Sequence, residues 1–243
     1  MSSNSKANAR AQKAAEMRAA QKKRESRRRV LTIAGVLAVM VLIVGGSIVI
    51  SLLNKDEVKA ADAGSSDYGV TIGSADAPHS VVIYEDFLCP YCGELERATR
   101  KDLEQLAADG KVQVEYRPFD LLSRIGDYPI RATSAFAVVL EKSGPEVAKK
   151  FHDLLYENQP SEKDPGAVTN DDLVKFAVEA GATEGDVRAD IENVAQKAWV
   201  DKATKEAADS GVTGTPTILL DGEVFQSGRT IDEMASNLIS ELE

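Results

Sequence analysis

Cysteine and histidine, the usual ligands of zinc, are scarce in this sequence. It has two cysteines, Cys89 and Cys92, and two histidines, His79 and His152, in 243 residues. The four-ligand sets that hold structural zinc are therefore poorly supplied, and two thiols cannot build the multi-bridge framework of a small secreted domain. The cysteines sit three positions apart, so a bond between them closes too short a loop to stabilise a fold by chain entropy. What remains for the pair is redox chemistry with each other. No metal or cofactor is called for.

A net positive charge is also missing from most of the chain. Residues 1–29 hold ten Lys/Arg against two Glu, a net +8, and with −10 for the whole chain the rest carries −18. A domain so acidic is a poor binder of nucleic acid. Between the two parts, Val30–Leu53 runs for 24 residues without a charge. As a helix it would span about 36 Å, enough to cross a bilayer core of about 30 Å. The run is longer than the apolar region of a cleaved signal peptide, so a retained transmembrane anchor is expected, although "VKAADA" after it resembles a small-residue cleavage site. "KKRESRRR" precedes the run, whereas Lys55, Asp56, Glu57 and Lys59 after it sum to zero. Positive flanks stay in the cytoplasm, so the C-terminal part is expected outside the membrane, where a disulfide persists.

The expected organisation is a basic tail over 1–29, the anchor over 30–53, a Gly/Ser-bearing linker over 54–68 and one domain over 69–243. "SVVIYEDF" reads as a buried strand leading to Cys89, "GELERATRKDLEQLAADG" as a helix stopped by Gly110, and "VQVEYRPF" as a half-buried strand. The cysteines thus fall at a strand-to-helix turn. There the free N–H groups and the helix dipole favour a thiolate on the first cysteine, and Pro90 suits the first helical turn. A helical insert over about 127–210 follows, with helices at Pro129–Lys142, Pro145–Tyr156 and Asp171–Ala180. Thr183 and Asp186 form a capping-box-like start to a fourth segment that runs to about Asp209, with room for a bend on the way. Asp221-Gly222 marks a hairpin, and Thr230 with Glu233 caps a last helix over Ile231–Leu242.

"DAPHSVVIYEDFLCPYC", "FHDLLYENQ" and "GVTGTPTILLDG", in this order, resemble the DsbA-like branch of the thioredoxin superfamily. The resemblance implies an α/β thioredoxin fold with an inserted helical domain, here preceded by one transmembrane helix. It also implies a thiol-disulfide oxidoreductase acting on exported, cysteine-containing polypeptides, anchored as in actinobacteria and other Gram-positive bacteria. Residue by residue, Cys89 matches the exposed nucleophile and Cys92 the resolving cysteine. Pro90 and Tyr91 form the tuning dipeptide, Pro216 matches the cis-proline, and Thr215 offers its backbone to an extended substrate. With no third cysteine, reoxidation requires an external membrane partner, DsbB-like or VKOR-like.

The sequence departs from the family where many relatives carry a buried carboxylate six residues before the first cysteine, because that position is Ile83. Glu85 lies on the same strand face and is the candidate proton shuttle, whereas Asp86 faces the other way. His152 reads as a packed residue and His79 as incidental. Phe87 and Tyr91 are candidates to line a peptide groove, and Trp199 reads as core. "GVTGTP" lacks the ending of a phosphate loop. A reductase or isomerase of the same fold, or a tethered binding module with dispensable cysteines, are the competing functions.

Overall fold

The structure is a computed structural model that describes residues 58–243. The expected tail and anchor, residues 1–53, lie outside the described residues. Among those described, no helix is long and apolar enough to cross a membrane.

The apolar run before Cys89 becomes the centre of the sheet. Strand β2 (His79–Glu85) pairs in parallel with β3 (Val112–Pro118), the two joined by helix α1 (Pro90–Ala108). On its other side β2 pairs antiparallel with β4 (Thr217–Leu220), which turns at Asp221-Gly222 into β5 (Glu223–Val224). Both turn residues have positive φ, 51° and 82°, as a two-residue hairpin of this hand requires. A further strand, β1 (Val70–Ile72), pairs antiparallel with β3 and completes the order β1-β3-β2-β4-β5. The expected order omitted β1, which is only three residues long between Gly69 and Gly73 and gains its pairing from β3, Val70 lying opposite Tyr116.

β2 is buried on both faces, which is why it reads as a continuous apolar run rather than an alternating one. Val81 and Ile83 enter the larger core beneath α1, the insert and the last helix, α7 (Ile231–Leu242). Val82 and Tyr84 enter a smaller core with Leu219, Ala203 and Ala207.

Five helices separate β3 from β4: α2 (Tyr128–Ser143), α3 (Pro145–Glu157), α4 (Asn170–Ala180), α5 (Glu184–Glu192) and α6 (Lys197–Asp209). The bend allowed for in the fourth expected segment is a full break, which makes it two helices. Val194 takes a left-handed φ of 50°, its N–H donates to Ile191 O and the Ala195 N–H donates to Asp190 O, which is a Schellman termination with valine where glycine is usual. Gln196 N–H then donates to Ser134 Oγ on α2 at 3.1 Å, so a tertiary contact holds the break. The Thr183 side chain makes no cap bond, correcting the expected box there; Thr169 and Asp172 form a full box at α4 instead. At α7 the Glu233 N–H donates to Thr230 Oγ1, and the Glu233 carboxylate takes the N–H of Arg229.

Residues 58–68 form no helix or strand. Ala63 N–H donates to Ser80 Oγ at 2.7 Å and Gly64 N–H to the buried Glu115 carboxylate at 2.9 Å. Arg117 also binds Glu115, at 2.6 Å, and donates to Ser65 Oγ and to the Tyr84 hydroxyl.

Candidate active site

The turn from β2 into α1 is pinned by Asp86. Its fully buried carboxylate accepts the N–H groups of Leu88, Leu121 and Leu122 at 2.8–2.9 Å. Burial pushes this carboxyl up to about 6, against the pull of those three donors. The Asp86 carbonyl accepts the Cys89 N–H at 2.9 Å. Cys89 thereby becomes the N-cap of α1 in extended conformation, with Pro90 at the first position of the helix. From the insert, Gln159 donates to the carbonyls of Phe87 and Cys89, both at 2.9 Å. A side chain on Gly93 would collide with Gln159, so glycine is what lets it approach. The role of Gln159 was hidden in the sequence, where only the "ENQ" that ends α3 could have signalled it.

Cys89 and Cys92 are free thiols, 5% and 2% exposed. Cys89, expected to be exposed, is thus mostly covered, and its sulfur donates to the Thr215 carbonyl oxygen at 3.4 Å. The Thr215–Pro216 peptide is cis, and the Thr215 N–H has no acceptor among the described residues. The two thiols ionise very differently. A hydrogen bond from the Cys92 thiol, outweighing burial and aided by Thr215 and by the N–H groups of Cys92 and Tyr91, lowers Cys89 to about 6. Burial pushes Cys92 well above the usual thiol range, and negative charge on Cys89 and Glu85 adds to it.

The structure thus brings Cys89, Cys92, Thr215 and Pro216 together, with Glu85 behind them. Tyr91 is 58% exposed beside the cysteines, and Pro90 is exposed. Phe87, expected in a groove, is fully buried against Phe136 and Tyr156, because the Asp86 turn directs it into the core. Trp199 packs against Tyr68 and Phe136, as expected of a core residue. His79, at the end of β2 away from the cysteines, lies with Nδ1 3.0 Å from the exposed Asp221 carboxylate.

The folded chain matches the family model described as Thioredoxin over residues 65–239. It belongs to the DsbA-like branch of the thioredoxin superfamily. A disulfide bond oxidoreductase (DsbG) from Mycobacterium tuberculosis, in its reduced form, is similar with a TM-score of 0.62 at 28% identity, covering 74% of this chain and 88% of that one. DsbA from the same organism gives 0.59 at 27%, covering 72% and 90%. In sequence, the probable disulfide bond formation protein D of Bacillus cereus is 28% identical over 193 residues, 78% of this chain and 87% of the relative. This DsbA-like protein is a thiol-disulfide oxidoreductase.

Behind Cys92 this DsbA-like chain buries a charged cluster that sequence reading missed. His152, fully buried, lies with Nε2 at 2.5 Å from Glu85 and Nδ1 at 3.1 Å from Asp153. Burial opposes its charge, but the Glu85 and Glu96 carboxylates prevail and hold it up to about 9. Burial raises Glu96 to about 7 despite His152 and Lys149. Asp153, disfavoured by burial, is held down to about 2 by His152 and Lys149. Glu96, His152 and Asp153 offer ligand atoms within 4.8 Å of one another, but the Lys149 ammonium, 2.5 Å from Asp153 and 3.7 Å from Glu96, already fills the place of a cation.

Proposed function

We propose that this oxidoreductase donates disulfides to exported polypeptides from an anchored position outside the cytoplasmic membrane. The similarity to DsbA and to disulfide bond formation protein D supports the direction, and the opposition of the two thiols, Cys89 lowered to about 6 and Cys92 pushed far up, supplies the exchange chemistry. A stabilised Cys89 thiolate favours the reduced pair, which makes the disulfide form the better oxidant. Net +8 before Val30 and a balanced flank after Leu53 support the orientation, with residues 1–29 inside and the domain from residue 69 outside.

In the reaction a substrate thiolate attacks Cys89 Sγ of the oxidised pair, and Cys92 leaves with the bonding electrons. The substrate's second thiolate then attacks its own bonded sulfur and expels Cys89 as a thiolate. The substrate loses two electrons and the enzyme gains them. Cys89 leaves readily because its charge is stabilised where it sits. Thr215, whose carbonyl lies 3.4 Å from Cys89 Sγ and whose N–H has no acceptor among the described residues, holds an extended substrate segment as an added strand would, against Pro216 and the Pro90-Tyr91 ridge. Glu85 exchanges a proton with Cys92. Since the chain has no third cysteine, a membrane protein of the DsbB-like or VKOR-like kind reoxidises the pair.

Oxidative refolding of a reduced substrate with the full chain tests this reading. Cys89→Ser should abolish it, and activity retained by that variant would refute the assignment.

A further inference from the structure

Breaking the Cys89–Cys92 bond delivers an electron pair to a sulfur that is 2% exposed. A thiolate there is costly, so a proton must arrive without bulk water. Glu85 acts on Cys92 by its charge and is itself 2% exposed. Among the described side chains its hydrogen-bond partner is His152, and that residue comes from the helical insert rather than from the thioredoxin core. The imidazole is walled by the rings of Phe87, Tyr116 and Tyr156, with centroids 4.7–5.7 Å away. Its second nitrogen faces Asp153, whose side chain is 15% exposed. The cluster therefore runs from beneath Cys92 to the protein surface.

We propose that His152 is the proton source and sink for Cys92, with Glu85 as the link between them and Asp153 as the way to solvent. This rests on the reading of Cys92 as the resolving cysteine. As the disulfide is reduced, Cys92 takes the electron pair; His152 gives its Nε2 proton to Glu85, and Glu85 gives a proton to Cys92 Sγ. The ring, left with its proton on Nδ1, then turns over so that its bare nitrogen meets Asp153, and a solvent proton entering there recharges it. The net step consumes one solvent proton and leaves a Cys92 thiol, and reoxidation runs the same transfers backwards. The charges facing the ring suit a donor that is kept loaded: Glu85 from β2, Glu96 from α1, and Asp153 from α3, set against Lys149 on α3, while Glu104 on α1 engages Lys149 at 3.2 Å. Tyr116 and Tyr156, both raised by burial, stay neutral beside it.

The test is the rate at which tris(2-carboxyethyl)phosphine reduces the Cys89–Cys92 disulfide in the full chain between pH 7 and 10.5. The phosphine attacks Cys89, Cys92 leaves, and water completes the conversion to phosphine oxide; the phosphine itself loses a proton at the low end of this range, so rates are expressed per free phosphine. The wild-type rate should fall about tenfold as pH rises through about 9, where His152 loses its proton. His152→Gln keeps an N–H donor for Glu85 but no transferable proton. It should be about tenfold slower at pH 7 and show no inflection near 9. A Gln variant with the wild-type rate and inflection would overturn the proposal. So would a wild-type profile flat through pH 9, a result that needs no variant to fold. Failure of the underlying reading would look different, since Cys89→Ser would then still refold substrate.

Discussion

At the scale of single residues, the account turns on the unequal acidity of two sulfurs three positions apart. Cys89 falls from 9.0 to about 6 because the folded chain aims donors at it, so its thiolate stabilises the reduced fold. That contribution is complete above the unfolded thiol's pKa, near 9, and disappears as pH falls through about 6. Alkylation of the reduced full chain by iodoacetamide should therefore modify Cys89 with an inflection near pH 6 while Cys92 stays unmodified through neutral pH. An inflection at 8 to 9 for Cys89 would contradict this. The cysteine pair and Pro216 were legible in the sequence through their motif, and Glu85 through strand alternation. The His152 contact was not, since 67 positions separate it from Glu85 and a histidine among Phe151, Leu154 and Leu155 looks like any packed residue. Only the docking of the insert on the sheet brings the two together.

Among the elements, those with local signals were easy to read and those held by tertiary contacts were not. Gly181 ends α4 in the left-handed region, and α7 spans Ile231–Leu242, both as the caps indicate. β1 has no such signal, because three residues become a strand only when β3 offers an edge. The α5–α6 break is the clearest case. The sequence from Thr183 to Asp209 reads as one helical segment with room for a bend, but only the structure places it, at Val194 with φ 50° and with Gln196 bound to Ser134. A β-branched residue is costly in this conformation, and glycine adopts it freely. Val194→Gly should therefore stabilise the protein by about 1 kcal/mol, read as a higher denaturant midpoint at unchanged slope. A lower midpoint would show that the Val194 side chain contributes more by packing than its backbone loses.

On the scale of the whole molecule, charge and chemistry are divided along the chain. The basic first 29 residues and the uncharged Val30–Leu53 run suit a protein held at a membrane, and the −18 remainder suits a domain that works on polypeptides rather than nucleic acid. The thioredoxin fold supplies the turn that activates Cys89, while the helical insert supplies Gln159 and His152, which brace that turn from behind. The most direct check on the proposal that this assembly donates disulfides is the equilibrium reduction potential of Cys89/Cys92 in the full chain, titrated against glutathione. The account predicts a value well above that of thioredoxin, on the side of the about −120 mV of DsbA. A value near the about −270 mV of thioredoxin would contradict it and make the protein a remover of disulfides.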